Sequence, residues 1–350
     1  MNKVVVYFNQ WFSSISNIIK DLKERNPEIY VIASSKNEDH AYKNVVDKFI
    51  VEDWTGNDSN YIDWLVATLK ENKVSIFFAK KHSKAISANI DRLNELEVTT
   101  ILEDMQTISL MDDKKEVYRI LSKNSELSKY IPLYCTETGL DAVKQFALEQ
   151  YKTNNPWCFK LNDDEGGASF RAVEQKEMDF NSLYKFRVNS LSKQEADKFI
   201  SKLSTEQADK LIFMELLDSP EISIDCYDSK KGFIAICREK IGGTRVQKLY
   251  YNKQLSKICE NIKDTFDLKY PFNVQFRVKH GKDSFDIENL RLLEINPRLS
   301  GGIYYSTFLG MNIADVCLKD ILNKENEYNI ENFINFDEYR VTHVEQAVRL

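Results

Sequence analysis

The stretch LRLLEINPRLSGG, residues 290–302, sets Glu294, Asn296 and Arg298 at every second position and ends on two glycines. Alternate residues of a strand share a face, so a carboxylate and an amide project from one side while Leu293 and Ile295 point to the other. Pro297 cannot donate to a ladder and ends the pairing or sits at an edge. Upstream, FNVQFRVKH (272–280) sets Asn273, Gln275 and Arg277 on one face and Val274, Phe276 and Val278 on the other. Residues 281–289 suffice for a hairpin loop, and antiparallel pairing would bring Gln275 beside Glu294 and Asn296. One carboxylate and two amide oxygens suit a hard cation such as Mg²⁺, which takes one or two carboxylates with waters and phosphate oxygens at roughly 2.0–2.1 Å. The same spacing also describes a polar sheet face turned to solvent.

Three further stretches carry groups of the same kind. In FKLNDDEGGASFR, Lys160 precedes the Gly166–Gly167 pair by six residues. Backbone N–H groups and an ammonium there could converge on phosphate oxygens, although no P-loop pattern is present. In FMELLDSPEISID, Glu215 and Glu221 flank a short connection. They could accept hydrogen bonds from an adenine amino group and ribose hydroxyls, or be solvated surface acids. Arg238, in CREKIGGTR, offers a fork that matches phosphates or a substrate carboxylate, or else an ion pair at the surface. Glycine is scarce: of 11 in the chain, six form the pairs 166–167, 242–243 and 301–302. Such pairs are expected where the backbone needs positive φ or a close approach.

The elements that must position these groups follow from periodicity. Strands at 3–8, 29–34, 74–79 and 98–102 alternate with helical patterns at 14–25, 61–72 and 85–96, which implies a doubly wound parallel sheet over roughly the first 110 residues. Its first strand-to-helix turn, FNQWFSSIS, has no glycine, so a dinucleotide fingerprint is missing. Beyond residue 112 come a helix at 112–123, a strand at 131–135, a helix at 139–150, a strand at 156–162, a helix at 192–204 and a strand at 211–217, then mostly strands until a helix at 314–323.

Composition narrows the classes. The 350 residues are 43% hydrophobic and 29% charged, with a net charge of −6, which argues against a nucleic-acid binder. No apolar run reaches membrane-spanning length. The six cysteines are dispersed without a Cys-x-x-Cys pair, as expected of free thiols in a reducing cytoplasm.

Taken in order, a lysine, a lysine with a Gly-Gly loop, two glutamates about a hinge, then Gln275 and Glu-x-Asn-Pro-Arg, the chain resembles the ATP-grasp enzymes. It looks closest to single-unit relatives of the carbamoyl phosphate synthetase large subunit, and EINPRLSGG is the most specific part. The resemblance implies a Rossmann-like domain at 1–110 and two ATP-grasp lobes, at 111–214 and 215–350, the second with an antiparallel sheet. It implies nucleotide contacts from Lys114 (or its neighbour Lys115), Lys160, the phosphate loop with Glu165, Gly166, Gly167 and Ser169, the hinge of Glu215, Leu216 and Leu217, and the ribose-binding Glu221. Gln275, Glu294 and Asn296 would hold Mg²⁺, with Mn²⁺ as an alternative, and Arg298 would stabilise the transferred phosphoryl group. Arg238 is a second catalytic candidate.

The implied chemistry is ATP-dependent activation of a small-molecule carboxylate as an acyl phosphate, then capture by an amine or other nucleophile. A homodimer is compatible with it. The four histidines (40, 82, 280 and 343) lie outside these motifs, and the reaction needs no covalent enzyme intermediate. ATP-grasp kinases and carboxylases, and a non-catalytic nucleotide-binding regulator, are the rival readings.

Overall fold

The structure is a computed structural model that describes residues 3–9, 14–163, 167–174, 189–241, 245–282, 286–334 and 336–342. The chain divides into two compact units. One comprises Met1–Ser109, Ile222–Val274 and Ile295–Leu350, and the other Leu110–Glu221 and Gln275–Glu294.

The first unit opens with a five-stranded sheet of β1 (Val5–Phe8), β2 (Tyr30–Ser35), β3 (Lys48–Val51), β4 (Ile76–Phe78) and β5 (Thr99–Ile101), in the order β3-β2-β1-β4-β5. Every pairing is parallel, and Val6 lies between Val31 and Ile76. Val6, Phe8, Val31 and Phe78 pack with Ile15, Ile18, Ile19 and Leu22 of the helix Ile15–Arg25. Tyr7, Ile32 and Phe77 pack on the opposite side with Tyr61, Ile62, Leu65 and Leu69 of the helix Asp58–Glu71. A parallel sheet covered on both faces needs apolar residues at consecutive positions, which accounts for the unbroken VVVYF and IFFA runs.

The second unit holds β6 (Trp157–Leu161), β7 (Arg171–Val173), β8 (Ser190–Leu191) and β9 (Leu211–Glu215), ordered β8-β7-β6-β9. Strand β6 runs antiparallel to β7 and β9. Trp157, Phe159 and Phe213 pack with Val143, Phe146 and Ala147 of the helix Leu140–Thr153, which leaves Cys158 and Lys160 on the other face of β6.

The remaining strands are β10 (Leu217–Ser229), β11 (Gly232–Lys240), β12 (Val246–Tyr250), β13 (Phe272–Lys279), β14 (Leu290–Asn296) and β15 (Tyr339–Thr342). They form an antiparallel sheet ordered β14-β13-β10-β11-β12-β15. The chain passes from one unit to the other within β10, β13 and β14.

The structure departs from the sequence reading in several places. Strand β3 and the helices Met105–Asp112 and Lys253–Phe266 are additional elements. The segment 131–135 is not a strand but a single bridge, Tyr134 to Met214, since Pro132 lacks a donor. The expected helix at 85–96 is two, Ser83–Ala88 and Ile90–Asn94, broken at Asn89, whose side-chain amide donates to the Ala85 carbonyl. All six cysteines are buried free thiols. Among the described residues no helix is long and apolar enough to cross a membrane.

Glu103, just beyond β5, ties the parallel sheet to the turn before β13. Its carboxylate accepts from the N–H groups of Lys269 and Tyr270 at 2.8 and 2.9 Å. Burial pushes this carboxyl above the usual glutamate range, against the pull of those two N–H groups. The folded chain therefore holds this proton to higher pH than the unfolded chain. The resulting stabilisation is complete below the unfolded value of about 4.3 and is lost as pH rises through the folded value. Glu103→Gln keeps an acceptor and cannot ionise. In denaturant titrations between pH 4 and 7, the wild type is expected to lose stability relative to Glu103→Gln as pH rises. A difference that stays constant with pH would contradict this.

Candidate functional site

The helix Lys114–Leu121 begins at Asp113, whose carboxylate accepts from the Glu116 N–H and from the Asn162 side-chain amide. This seats Lys114 beside the end of β6. Its ammonium, on a residue only 5% exposed, donates to the Asn162 carbonyl at 2.9 Å. Lys115 turns instead to the Asp209 carbonyl, at 3.1 Å. Of the two lysines, Lys114 is the one held against the strand that carries Lys160.

Lys160 is itself buried, and the residues around it gather about two buried groups. Burial pushes the Cys158 thiol up to about 12, with the positive charges of Lys160 and Arg277 opposing the rise and Glu215 adding to it. Burial likewise pushes the Tyr118 hydroxyl well above its ordinary value, helped by the negative charges of Glu294 and Glu215. Neither group ionises at neutral pH, so Cys158 is no nucleophile. Lys160, Glu215, Arg277 and Glu294 thus share one neighbourhood in the second unit.

Arg277 is a residue that sequence reasoning left without a role, although it shares a strand face with Gln275. Its Nε lies 3.6 Å from Glu221, too far for a hydrogen bond, and is buried with no hydrogen-bond partner. An unsatisfied buried donor beside a carboxylate costs about 1–3 kcal/mol, and a ligand oxygen placed between them would relieve it. This orphaned donor and the two buried lysines fit a polyphosphorylated, hydroxyl-bearing ligand.

Glu215 closes β9 with its carboxylate turned away from such a role. The side chain accepts from the Leu133 N–H at 2.8 Å and lies 3.9 Å from Arg291. The main chain here is partly engaged as well: the Glu215 N–H donates to the Leu133 carbonyl and the Leu216 N–H to the Pro156 carbonyl. Beyond β6, Gly167 has φ +68°, a left-handed conformation that favours glycine, and the Ser169 hydroxyl accepts from the Leu161 N–H at 2.9 Å. Glu165 and Gly166 lie outside the described residues, as do Gly242 and Gly243.

Gln275 and Glu294 belong to the second unit, Asn296 to the first. On β14 the burial alternation slips: Leu292 and Ile295 are buried, with Leu293 and Glu294 half-buried between them. Leu293 therefore does not share the burial of Ile295 that strict alternation implies. Glu294 and Asn296 stay half-buried, as does Gln275. Among the described residues no three His, Cys, Asp or Glu side chains cluster as a metal site would require. Gln275 and Glu294, an amide and a carboxylate of the second unit, are donors of the kind that Mg²⁺ takes together with phosphate oxygens.

The first unit holds Arg298 and Arg238. Arg298 lines a small recess with Phe78, Ala79, Ile101 and Leu102, at the carboxyl ends of β4 and β5. Arg238 is not a surface residue. Only 2% exposed, it donates from Nε and Nη2 to both oxygens of Asp225, from Nη2 to the hydroxyls of Ser223 and Ser300, and from Nη1 to the side-chain amide oxygen of Gln247. Asn273 donates to Ser223, to the Ile224 carbonyl and to Asp225. Gly302 has φ −102°, so left-handed backbone does not explain it. A Cβ there would lie 2.3 Å from Arg238 Nη1.

Comparison with known proteins bears on this arrangement. A search of curated protein sequences gives no match. The family model described as ATP-grasp in the biosynthetic pathway with Ter operon matches residues 207–347. The chain superposes on Campylobacter jejuni biotin carboxylase bound to a β-γ-ATP ligand, with a TM-score of 0.66, 15% identity, and 96% of this chain and 74% of that one covered. This chain has the ATP-grasp fold. Two other structures share the ATP-grasp fold. The biotin carboxylase domain of Hydrogenobacter thermophilus 2-oxoglutarate carboxylase, a dimer with MgADP and bicarbonate, matches at TM-score 0.65 and 13% identity over 96% of this chain and 73% of that one. Staphylococcus aureus N5-carboxyaminoimidazole synthetase with ADP matches at 0.63 and 11% over 92% and 77%. These matches establish the ATP-grasp fold without singling out the carbamoyl phosphate synthetase branch.

Tyr118 links the helix Lys114–Leu121 to the strand bearing Glu294. The Tyr118 hydroxyl lies 3.0 and 2.9 Å from the carbonyls of Leu292 and Leu293. Tyr118→Phe removes that donor from a buried position and should cost about 1–3 kcal/mol, read as a lower denaturant midpoint. An unchanged midpoint would show that the two carbonyls find other donors.

Proposed function

We propose that this chain is an ATP- and Mg²⁺-dependent ligase that activates a small-molecule carboxylate as an acyl phosphate and couples it to an amine. The observation that carries the reading is the convergence in one unit of the buried Lys114 and Lys160 with Glu221, Glu294 and the unsatisfied Nε of Arg277. In this reading residues 1–110 form a substrate-binding domain, and 111–214 and 215–350 form the two lobes.

Lys114 and Lys160 bind phosphate oxygens, and Gly167 and Ser169 shape the loop that excludes water from them. The main chain of Glu215–Leu217 follows the adenine edge, while Glu221 and Arg277 hold the ribose side. Gln275, Glu294 and Asn296 hold the metal, which when bound offsets charge on the phosphates. Arg298 faces the phosphoryl group as it passes to the substrate carboxylate oxygen, giving ADP and an acyl phosphate. The amine then displaces phosphate. Catalysis rests on positioning and on charge placed where it is needed in the transition state.

A carboxylase reading is supported by one observation: two of the similar structures are of biotin carboxylases, one of them with bicarbonate bound. Product analysis separates the two. A screen of carboxylates against amines for ADP release, with mass spectrometry of products, is expected to yield an amide. A carboxylated or a phosphorylated product would replace this reading. Glu294→Gln is expected to lower Mg²⁺-dependent turnover by roughly a hundredfold or more, and Arg298→Ala likewise. Full activity in either variant would remove that residue from its role.

A further inference from the structure

We infer that Arg238 is a positioning residue: its buried pair with Asp225 holds residues 298–302 in place through Ser300 and Gly302, and so presents Arg298. This rests on the role proposed above for Arg298.

The guanidinium has little left to offer a ligand. Asp225, Ser223, Ser300 and Gln247 take up its donors, at 2.6–3.3 Å. Ser300 is tied twice, since its hydroxyl also donates to Asp225 at 2.7 Å. Gly302 completes the fit. A Cβ would stand 2.3, 2.7 and 3.0 Å from Nη1, Cζ and Nη2, and a planar group held through Nε, Nη1 and Nη2 resists swinging aside. The guanidinium thus sets the path of the backbone at two points, two and four residues past Arg298.

The other side of the loop is held as well. Ser14, the residue before the helix Ile15–Arg25, makes no side-chain bond to that helix and donates to the Gly301 carbonyl at 2.7 Å. Leu299 and Ile303 are buried in the core beside β1 and β4. At the head of the loop the Arg298 N–H donates to the Asn296 carbonyl, a tight turn at 2.8 Å. Residues 298–303 are therefore gripped from the parallel sheet on one side and from β10, β11 and β12 on the other. A residue that contacted the nucleotide would change nucleotide affinity. One that sets the aim of Arg298 changes the chemical step and leaves affinity alone.

Arg238→Ala leaves Asp225 buried without its partner, so the test uses smaller changes. Ser300→Ala, Arg298→Ala and their combination are compared by ADP release with the acid found in the screen, and by hydrogen exchange of amides 299–303, which needs no substrate. Ser300→Ala is expected to lower kcat roughly ten- to a hundredfold, keep KM for ATP within about twofold, speed exchange across 299–303, and add nothing in the Arg298→Ala background. Arg238→Lys, which keeps the charge and loses the fork, should match it. Three results would overturn the inference: additive losses, a parallel rise in KM for ATP, or wild-type turnover in Arg238→Lys. If Arg298→Ala turns over normally, the proposed role of Arg298 falls, and this inference with it. If Arg298→Ala is impaired and Ser300→Ala is additive, the inference alone falls.

Discussion

A guanidinium enclosed by strands is stable only if its charge and its donors are matched. Arg238 meets that demand with Asp225, two serines and Gln247. Breaking such a pair by removing one partner typically costs about 3–5 kcal/mol, because the other charge stays buried. The pair therefore tolerates little rearrangement, and whatever touches it inherits that stiffness. Asn273 on β13, Gln247 on β12 and the Ser300–Gly302 segment all do. One ion pair so registers four strands, β10 to β13, and the loop that follows a fifth, β14.

The two sets of candidate groups divide cleanly between the compact units. Lys114, Lys160, Glu215, Glu221, Arg277 and Glu294 belong to one, and Asn296, Arg298 and Arg238 to the other. Along β14 the change falls between Glu294 and Ile295, one peptide bond apart from either set. The stretch 294–298 thus carries candidate groups of both units. This gives a physical reason for EINPR to be compact: an inserted residue would turn every later side chain to the opposite face.

Much of this was legible because strand alternation is a strong signal. The polar face of FNVQFRVKH and the apolar runs of the parallel sheet both appear as read. What escaped reading depends on contacts between segments distant in sequence. Asp225 sits in EISIDCYD as an ordinary polar residue, and only the pairing of β10 with β11 gives it Arg238. Strand β3 is four residues at a sheet edge, with too little periodicity to separate it from a loop. The helix Lys253–Phe266 does carry a signal, since Leu255, Ile258, Cys259, Ile262 and Phe266 are buried at helical spacing. Which of Lys114 and Lys115 reaches the end of β6 required coordinates, because adjacent residues at a helix start differ only in which way they turn.

The space at Gly302 has a consequence for how this chain can vary. The same small volume can hold a guanidinium or a side chain at residue 302, but not both. Positions 238 and 302 are therefore not independent. A drift away from arginine at 238 would open room for a larger residue at 302, and a larger residue at 302 would be tolerated only after such a drift. Across descendants of this sequence the two positions should change together and in that order, with glycine at 302 acting as the molecular record of an arginine behind it.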